Sequence, residues 1–134
     1  MALKDLLYAK THEWVRLETD AAGKKVITLG LTDFALTALT DLVFIDLPQV
    51  GRQLKQGEVF GEIESVKAVS DLYSPVDGQV IEVNSAIVNQ LEQLSSDPYE
   101  TGWFIKLAVA NDAGLASLMD EAAYRKQCEE ESGE

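Results

Sequence analysis

The sequence predicts an α+β domain, mostly β, in which short strands form a flattened β-barrel or sandwich with short peripheral helices and a C-terminal helix. Short runs of apolar residues recur along the chain and are separated by turn residues, as is typical of strands. Hydrophobic residues make up 46% of the 134 residues, which suffices for one folded domain with a buried core. Near residue 117 the pattern changes to helical spacing.

The first two strands are predicted at 14–17 and 26–29, where apolar and polar residues alternate. A polar turn at 20–24 joins them. Thr32 is a candidate N-cap for a short helix that ends near Leu39.

Three more strands are predicted in the middle of the chain. Segment 42–47 is apolar and β-branched and ends at Pro48, and segments 79–83 and 103–109 have similar compositions. Segment 87–94 has no clean period, so we expect a short helical turn there.

The C-terminal segment is predicted to be a helix. Residues 117–120 fit a capping box, and helical spacing relates Leu118, Ala122, Arg125 and Lys126. We expect the helix to fray at 129–131, because three glutamates oppose the negative end of the helix dipole.

Segments 59–64 and 69–73 are predicted to form a hairpin with Val66 and Lys67 at its tip. Hairpin tips favour residues that tolerate positive φ, and β-branched Val66 does not. A broken local rule is expected at functional sites. A lone exposed lysine on a stiff support is a poor catalyst and a good attachment point.

The hairpin register predicts a cluster of carboxylates. If Ser65 pairs with Ala68, then Glu62 faces Asp71 across the strands and Glu64 lies beside them. Opposed like charges destabilise a bare sheet. Either this face is simply solvated, or its acidic collar receives a cationic group or the basic groove of a modifying enzyme.

Residues 64–71 read Glu-Ser-Val-Lys-Ala-Val-Ser-Asp, and 74–78 read Ser-Pro-Val-Asp-Gly, which places Gly78 eleven residues after Lys67. This pattern resembles the lipoylation site of the H-protein family of the glycine cleavage system, within the biotinyl/lipoyl-attachment proteins. Biotin carriers have methionines where Val66 and Ala68 stand here. Further marks of the family follow in its order at 11–15, 30–35, 43–51, 97–103 and 122–124.

The resemblance implies a single lipoyl-carrier domain over 1–134 with the hammerhead fold, a core at about 8–128 and an acidic tail at 129–134. It implies lipoate on Lys67, with Glu64, Ser65 and Gly78 serving recognition and hairpin support. Gly78 follows a Pro-Val-Asp turn, so we expect it to have positive φ.

By the same resemblance the chain is a carrier and not an enzyme. It would take the aminomethyl group of glycine from glycine decarboxylase (P-protein) to aminomethyltransferase (T-protein), and electrons to dihydrolipoamide dehydrogenase (L-protein). A lipoate ligase or a lipoyl/octanoyl transferase would attach the cofactor. The alternatives are an H-like lipoyl relay or sulfur-metabolism carrier, and a binding domain that is never modified.

The family places Glu13 and Asp71 near the lipoyl arm, and Thr11 is available as a neutral acceptor. These residues are predicted to bound a cleft that holds the aminomethyl-loaded arm. Glu13 lies beside apolar residues, so we expect it to face water or a positive partner. His12 is interpreted as structural. Thr40 stands where the family usually has Gly, so we expect that turn to have a geometry common to L-residues.

Composition excludes several classes of function. A net charge of −12, from 11 basic and 23 acidic residues, argues against binding to nucleic acid or to an anionic membrane. One histidine and one cysteine exclude a thiolate metal cluster and a His-rich metal site, and Cys128 is expected to be a buried apolar residue. No segment is a membrane span, and 1–5 resembles no targeting signal. We expect a bacterial cytoplasm, or the mitochondrial matrix for a processed chain.

Overall fold

Two antiparallel sheets form the body of the protein, which a computed structural model describes at residues 6–111 and 114–132. The described strands are β1 Leu7–Tyr8, β2 Glu13–Thr19, β3 Lys25–Leu31, β4 Leu42–Asp46, β5 Gln53–Leu54, β6 Val59–Ser65, β7 Val69–Tyr73, β8 Gly78–Val83 and β9 Ile105–Val109. Their order is β1-β2-β3-β9-β8-β5 in the six-stranded sheet and β4-β6-β7 in the three-stranded sheet. The mostly-β prediction is confirmed, and the sheets form a sandwich rather than a closed barrel.

Short helices lie between and after the strands. They are α1 Asp33–Leu39, α2 Glu92–Ser96 and α3 Glu121–Ser132, with 3-10 turns at Ser85–Asn89 and Leu115–Ser117. Thr32 caps α1 as predicted, because its hydroxyl accepts a hydrogen bond from the Ala35 amide. The helical turn expected within 87–94 is also found, divided between a 3-10 turn and α2.

The main core lies between the two sheets. Leu29 and Leu107 from the larger sheet and Ile63 and Leu72 from the smaller one belong to one buried cluster, and all four are 0% exposed. Burying an aliphatic side chain of this size contributes about 1.5–3 kcal/mol, so the alternating strands give the sandwich its stability.

The start of α3 differs from the sequence prediction. Asp120, and not Ser117, caps the helix, because its carboxylate accepts a hydrogen bond of 2.9 Å from the Ala123 amide. Leu118 is extended, so the capping box at 117–120 is wrong. A second buried cluster of Tyr8, Trp14, Tyr124 and Cys128 fixes the helix against β1 and β2.

The expected fraying at 129–131 is also wrong, since α3 continues to Ser132. Glu131 accepts a hydrogen bond of 2.7 Å from Gln127 and lies 3.0 Å from Nε2 of His12. These contacts oppose the unfavourable helix-end charge. Residues 133–134 of the predicted acidic tail, and 1–5 at the other end, lie outside the described residues.

Thr40 does not have the ordinary L-residue geometry that was expected. Its φ is 66° and its ψ is −129°, a conformation that glycine adopts far more readily. The reason is the sharp reversal between α1 and β4, where the Thr40 amide still donates to the Leu36 carbonyl. The next residue, Asp41, thereby reaches the hairpin of β6 and β7.

Candidate functional site

Lys67 lies exposed at the tip of the β6–β7 hairpin. The Ser65 amide donates to the Ala68 carbonyl at 2.8 Å, and Oγ of Ser65 accepts from the Ala68 amide at 3.1 Å. The Val66 amide donates to the Asp41 carbonyl at 2.9 Å. Neither tip residue has positive φ. Buried Ser65 therefore closes a turn that Val66 tolerates, and the lysine stands on a fixed backbone.

The predicted hairpin register is confirmed. Glu62 pairs with Asp71, and Glu64 pairs with Val69. On the other side of β6, Asp46 of β4 also pairs with Glu62. One row of exposed carboxylates, Asp46, Glu62 and Asp71, therefore crosses the three-stranded sheet on its outer face.

The expectation that Glu13 faces water or a positive partner is wrong. Glu13 is 0% exposed. Its carboxylate accepts a hydrogen bond of 3.0 Å from the Tyr73 amide, and another from the Thr11 hydroxyl. Burial raises the pKa of Glu13 to about 7, although these hydrogen bonds oppose the shift. At neutral pH the carboxyl group is therefore poised between its two protonation states.

A cavity of about 220 Å³ lies beside the hairpin. Its polar lining comes from Thr11, His12, Ser70 and Glu131, and its apolar lining comes from β3 and α1: Leu31, Phe34, Ala35, Ala38 and Leu39. Asp71 does not line this cavity. Neighbouring residues of a strand face opposite sides of the sheet, so Ser70 points inward where Asp71 points out.

The fold thus brings together two of the three predicted cleft residues, Thr11 and Glu13, but not Asp71. Thr11 contacts Glu13 and lines the cavity, whereas Asp71 lies on the outer face. Ser70 is a residue that sequence reasoning missed, although the alternation along β7 would have indicated it. Asp41 was missed too, and its contact with Val66 has no local sequence signal.

His12 closes one side of the same cavity. Its Nδ1 lies 2.8 Å from the Tyr124 hydroxyl, and its ring stacks on Phe34 with centroids 5.2 Å apart. These contacts agree with the structural role assigned to His12.

Gly78 does not have the positive φ that was expected. It begins β8 and pairs with Leu54 and Val109. A Cβ atom at Gly78 would lie 2.6 Å from the Ala108 carbonyl oxygen, so glycine is required by close packing of backbones and not by the turn.

Among the described residues, no group of three or more His, Cys, Asp and Glu side chains could hold a metal ion. Within the same residues, no helix has the length and apolar character needed to cross a membrane.

The sequence also matches a family model, described as glycine cleavage H-protein, over residues 6–131. The chain belongs to the glycine cleavage H-protein family. A relative from Rhodopirellula baltica named glycine cleavage system H protein is 50% identical over 125 residues, which cover 93% of each chain. A mitochondrial relative from Arabidopsis thaliana, glycine cleavage system H protein 2, is 45% identical over 98% of this chain and 81% of its own.

A solved structure of the family agrees with the fold. The crystal structure of a glycine cleavage system H protein from Mycobacterium marinum superposes with a TM-score of 0.79 at 38% identity, covering 92% of this chain and 96% of that one. H-proteins are the lipoyl carriers of the glycine cleavage system, so this chain is a carrier subunit and not itself a catalyst.

Proposed function

We propose that Lys67 is the residue to which lipoate is attached through an amide. The observation that carries this proposal is the exposed lysine on a hairpin tip whose backbone is fixed by Ser65 and Asp41. A fixed backbone at the tip limits the region in which the amine can lie, which lowers the entropic cost of binding in the centre of a modifying enzyme. Glu64, beside the tip, and Gly78, which packs β8 against β9, support recognition and the hairpin.

The neighbouring residues fit such a group. The cavity beside the hairpin has an apolar wall from α1, and Ser70, three residues after Lys67, lines it. An apolar ring on a flexible arm suits a wall of this kind. When bound, lipoate supplies a dithiolane that accepts the aminomethyl group of glycine and electrons.

Within this proposal, Thr11, Glu13 and Asp71 protect the cargo, which is the aminomethyl group carried on the lipoyl arm, from loss to water. The Thr11 hydroxyl donates to Glu13, so its remaining lone pairs are free to accept from an ammonium group in the cavity. Glu13 acts through Thr11, and exposed Asp71 contributes only its negative field, which salt screens.

The partners we propose are glycine decarboxylase, aminomethyltransferase and dihydrolipoamide dehydrogenase, with a lipoate ligase or a lipoyl/octanoyl transferase as the modifying enzyme. The family name supports a place in the glycine cleavage system. The relatives from Rhodopirellula baltica and Mycobacterium marinum are bacterial proteins, which supports a bacterial cytoplasm as the location.

Intact mass spectrometry after expression with lipoate and a lipoate ligase tests the attachment site. Wild type should gain the mass of one lipoyl group, and Lys67→Arg should gain none, because a guanidinium group does not deprotonate to attack an activated acyl group. Lys10→Arg and Lys55→Arg are matched controls at exposed lysines and should be modified normally. Lipoate on either of those residues, or no modification of wild type, would contradict the proposal.

A further inference from the structure

The outer face of the three-stranded sheet carries two distinct rows of side chains. The row of Asp46, Glu62 and Asp71 is acidic and exposed. Among the described residues no lysine or arginine pairs with these three carboxylates. The sheet therefore holds opposed like charges across all of its strands, which costs stability, and nothing in the core requires them.

The second row lies between the acidic row and the hairpin tip. Phe44 pairs with Glu64, which pairs with Val69, and Phe44 and Val69 are 48% and 57% exposed. A β-bulge between Leu42 and Phe44 turns Val43 outward as well.

Exposed apolar residues are concentrated at this end of the sheet. Of the nine large apolar side chains that are exposed among the described residues, four lie at this face or at its tip: Val43, Phe44, Val66 and Val69. Surface apolar residues that gather beside a row of charge mark an interaction site more often than solvated surface. β4 and β7 are the edge strands of this sheet, and charges on edge strands prevent pairing with other chains. That reason explains the carboxylates, but it does not explain the exposed apolar residues beside them.

We propose that this outer face is the docking surface for the enzyme that attaches lipoate to Lys67. The proposal rests on the proposed function. It assigns to that enzyme a strip of Lys or Arg side chains that faces Asp46, Glu62 and Asp71, and an apolar contact for Phe44 and Val69. Opposite charges across the contact steer the two proteins together and fix their orientation.

The short distance between Lys67 and this face favours the modifying enzyme over the other partners as the protein that docks there. At about 3.3 Å per residue, Glu64 lies at most ~10 Å and Glu62 at most ~17 Å from Lys67 along the strand. A standard interface buries about 800 Å² on each partner, which is a disc of ~16 Å radius. An enzyme that takes the bare lysine amine into its centre therefore covers the row of Phe44, Glu64 and Val69 and extends to the edge of the acidic row. A partner that acts at the far end of a lipoyl arm has no such constraint.

The test is the rate of lipoylation of the unmodified protein by a purified lipoate ligase. Asp46→Asn/Glu62→Gln removes two charges of the row and leaves Asp71, which has a proposed role in protecting the aminomethyl group. Glu18→Gln/Glu129→Gln removes two exposed charges elsewhere and is the matched control. At low ionic strength kcat/KM should fall at least fivefold for the row variant, through KM, and stay within twofold for the control. High salt should reduce wild type to the level of the row variant.

Two outcomes would overturn the proposal, and a third would contradict the proposed function on which it rests. Equal kcat/KM for the row variant and wild type would overturn it while leaving Lys67 as the attachment site. Normal lipoylation with impaired turnover by glycine decarboxylase or aminomethyltransferase would assign the face to those enzymes instead, which also overturns it. Failure of wild type itself to be lipoylated would contradict the proposed function. Loss of like charges should leave the thermal midpoint unchanged or raised, so a folded row variant is expected.

Discussion

The amide of Tyr73 donates a hydrogen bond of 3.0 Å to the buried carboxylate of Glu13. Tyr73 ends β7 in the three-stranded sheet, and Glu13 begins β2 in the six-stranded sheet. The hairpin that carries Lys67 is thus joined at its base to the opposite sheet by a group that titrates. This contact links the stability of the sandwich to pH.

Replacing Glu13 with Gln should flatten the pH dependence of stability. Burial raises the pKa of Glu13 to about 7 from an ordinary value of 4.5, so between these values the folded state holds a proton that the unfolded state has lost. Stability therefore falls as pH rises through this window, by on the order of 2–3 kcal/mol, and is greatest below 4.5 as far as this group is concerned. Urea unfolding from pH 4.5 to pH 8 measures the effect.

Glutamine keeps both contacts, since its oxygen accepts from Tyr73 and its NH₂ group donates to a rotated Thr11 hydroxyl. Above pH 7 the variant should therefore be more stable than wild type. Between pH 4.5 and pH 7 its free energy of unfolding should change less with pH than that of wild type. Parallel curves for the two proteins would show that Glu13 does not titrate there.

Thr40→Gly should stabilise the protein by about 1–2 kcal/mol. A β-branched residue with a φ of 66° and a ψ of −129° is strained, and glycine adopts this conformation without that cost. Chemical denaturation of both proteins measures the gain.

Thr37→Gly is the matched control, because Thr37 is an exposed residue within α1. The same substitution there should destabilise by about 0.5 kcal/mol, since glycine is a poor helix former. A loss of stability at both positions would refute the assignment of strain to Thr40.

Gly78→Ala should destabilise by on the order of 1–3 kcal/mol, because its Cβ would approach the Ala108 carbonyl oxygen and push β9 away from β8. Gln79→Ala changes the next, exposed residue of the strand and should stay within about 0.5 kcal/mol of wild type. Urea midpoints compare the two. If both variants unfold alike, close packing is not the reason for glycine at position 78.

Short-range sequence patterns predicted the elements whose structure is decided by neighbouring residues. The alternation in 59–64 and 69–73 gave the hairpin and its register, and Thr32 was recognised as a helix cap. Burial of Glu13 could not be predicted this way. Its partner Tyr73 is sixty residues away in the chain, and a carboxylate beside apolar residues is normally solvated.

The same limit explains the two turns that were predicted wrongly. Thr40 has positive φ because Asp41 must meet Val66, a contact between distant segments. Gly78 was read as a turn residue, although the constraint is the backbone of β9, which passes close to it. In each case a tertiary contact overrode the local rule.

The cleft makes a prediction about the cargo. An aminomethyl group on sulfur is lost when the nitrogen lone pair expels the thiolate and leaves an iminium ion. Water then hydrolyses the iminium ion to formaldehyde and ammonia. A protonated amine has no free lone pair, so an acceptor that holds it protonated slows the loss. Thr11 is placed to be that acceptor, since it lines the cavity and its own proton is engaged by Glu13. Thr11→Val should therefore be lipoylated normally and release formaldehyde several-fold faster at neutral pH.

Thr11→Ser keeps the hydroxyl and should retain the cargo as wild type does, which separates the acceptor from the shape of the side chain. Glu13→Gln with Asp71→Asn should also release formaldehyde faster, because the negative charge of these two residues is removed, while the carboxylate of Glu131 in the cavity wall is unchanged. Most of that effect should come from Glu13, since Asp71 lies on the outer face where solvent screens it. Asp71→Asn alone should consequently change the rate little. A fast rate for Asp71→Asn together with a wild-type rate for Thr11→Val would mean that the cargo lies outside the cavity, over the acidic row.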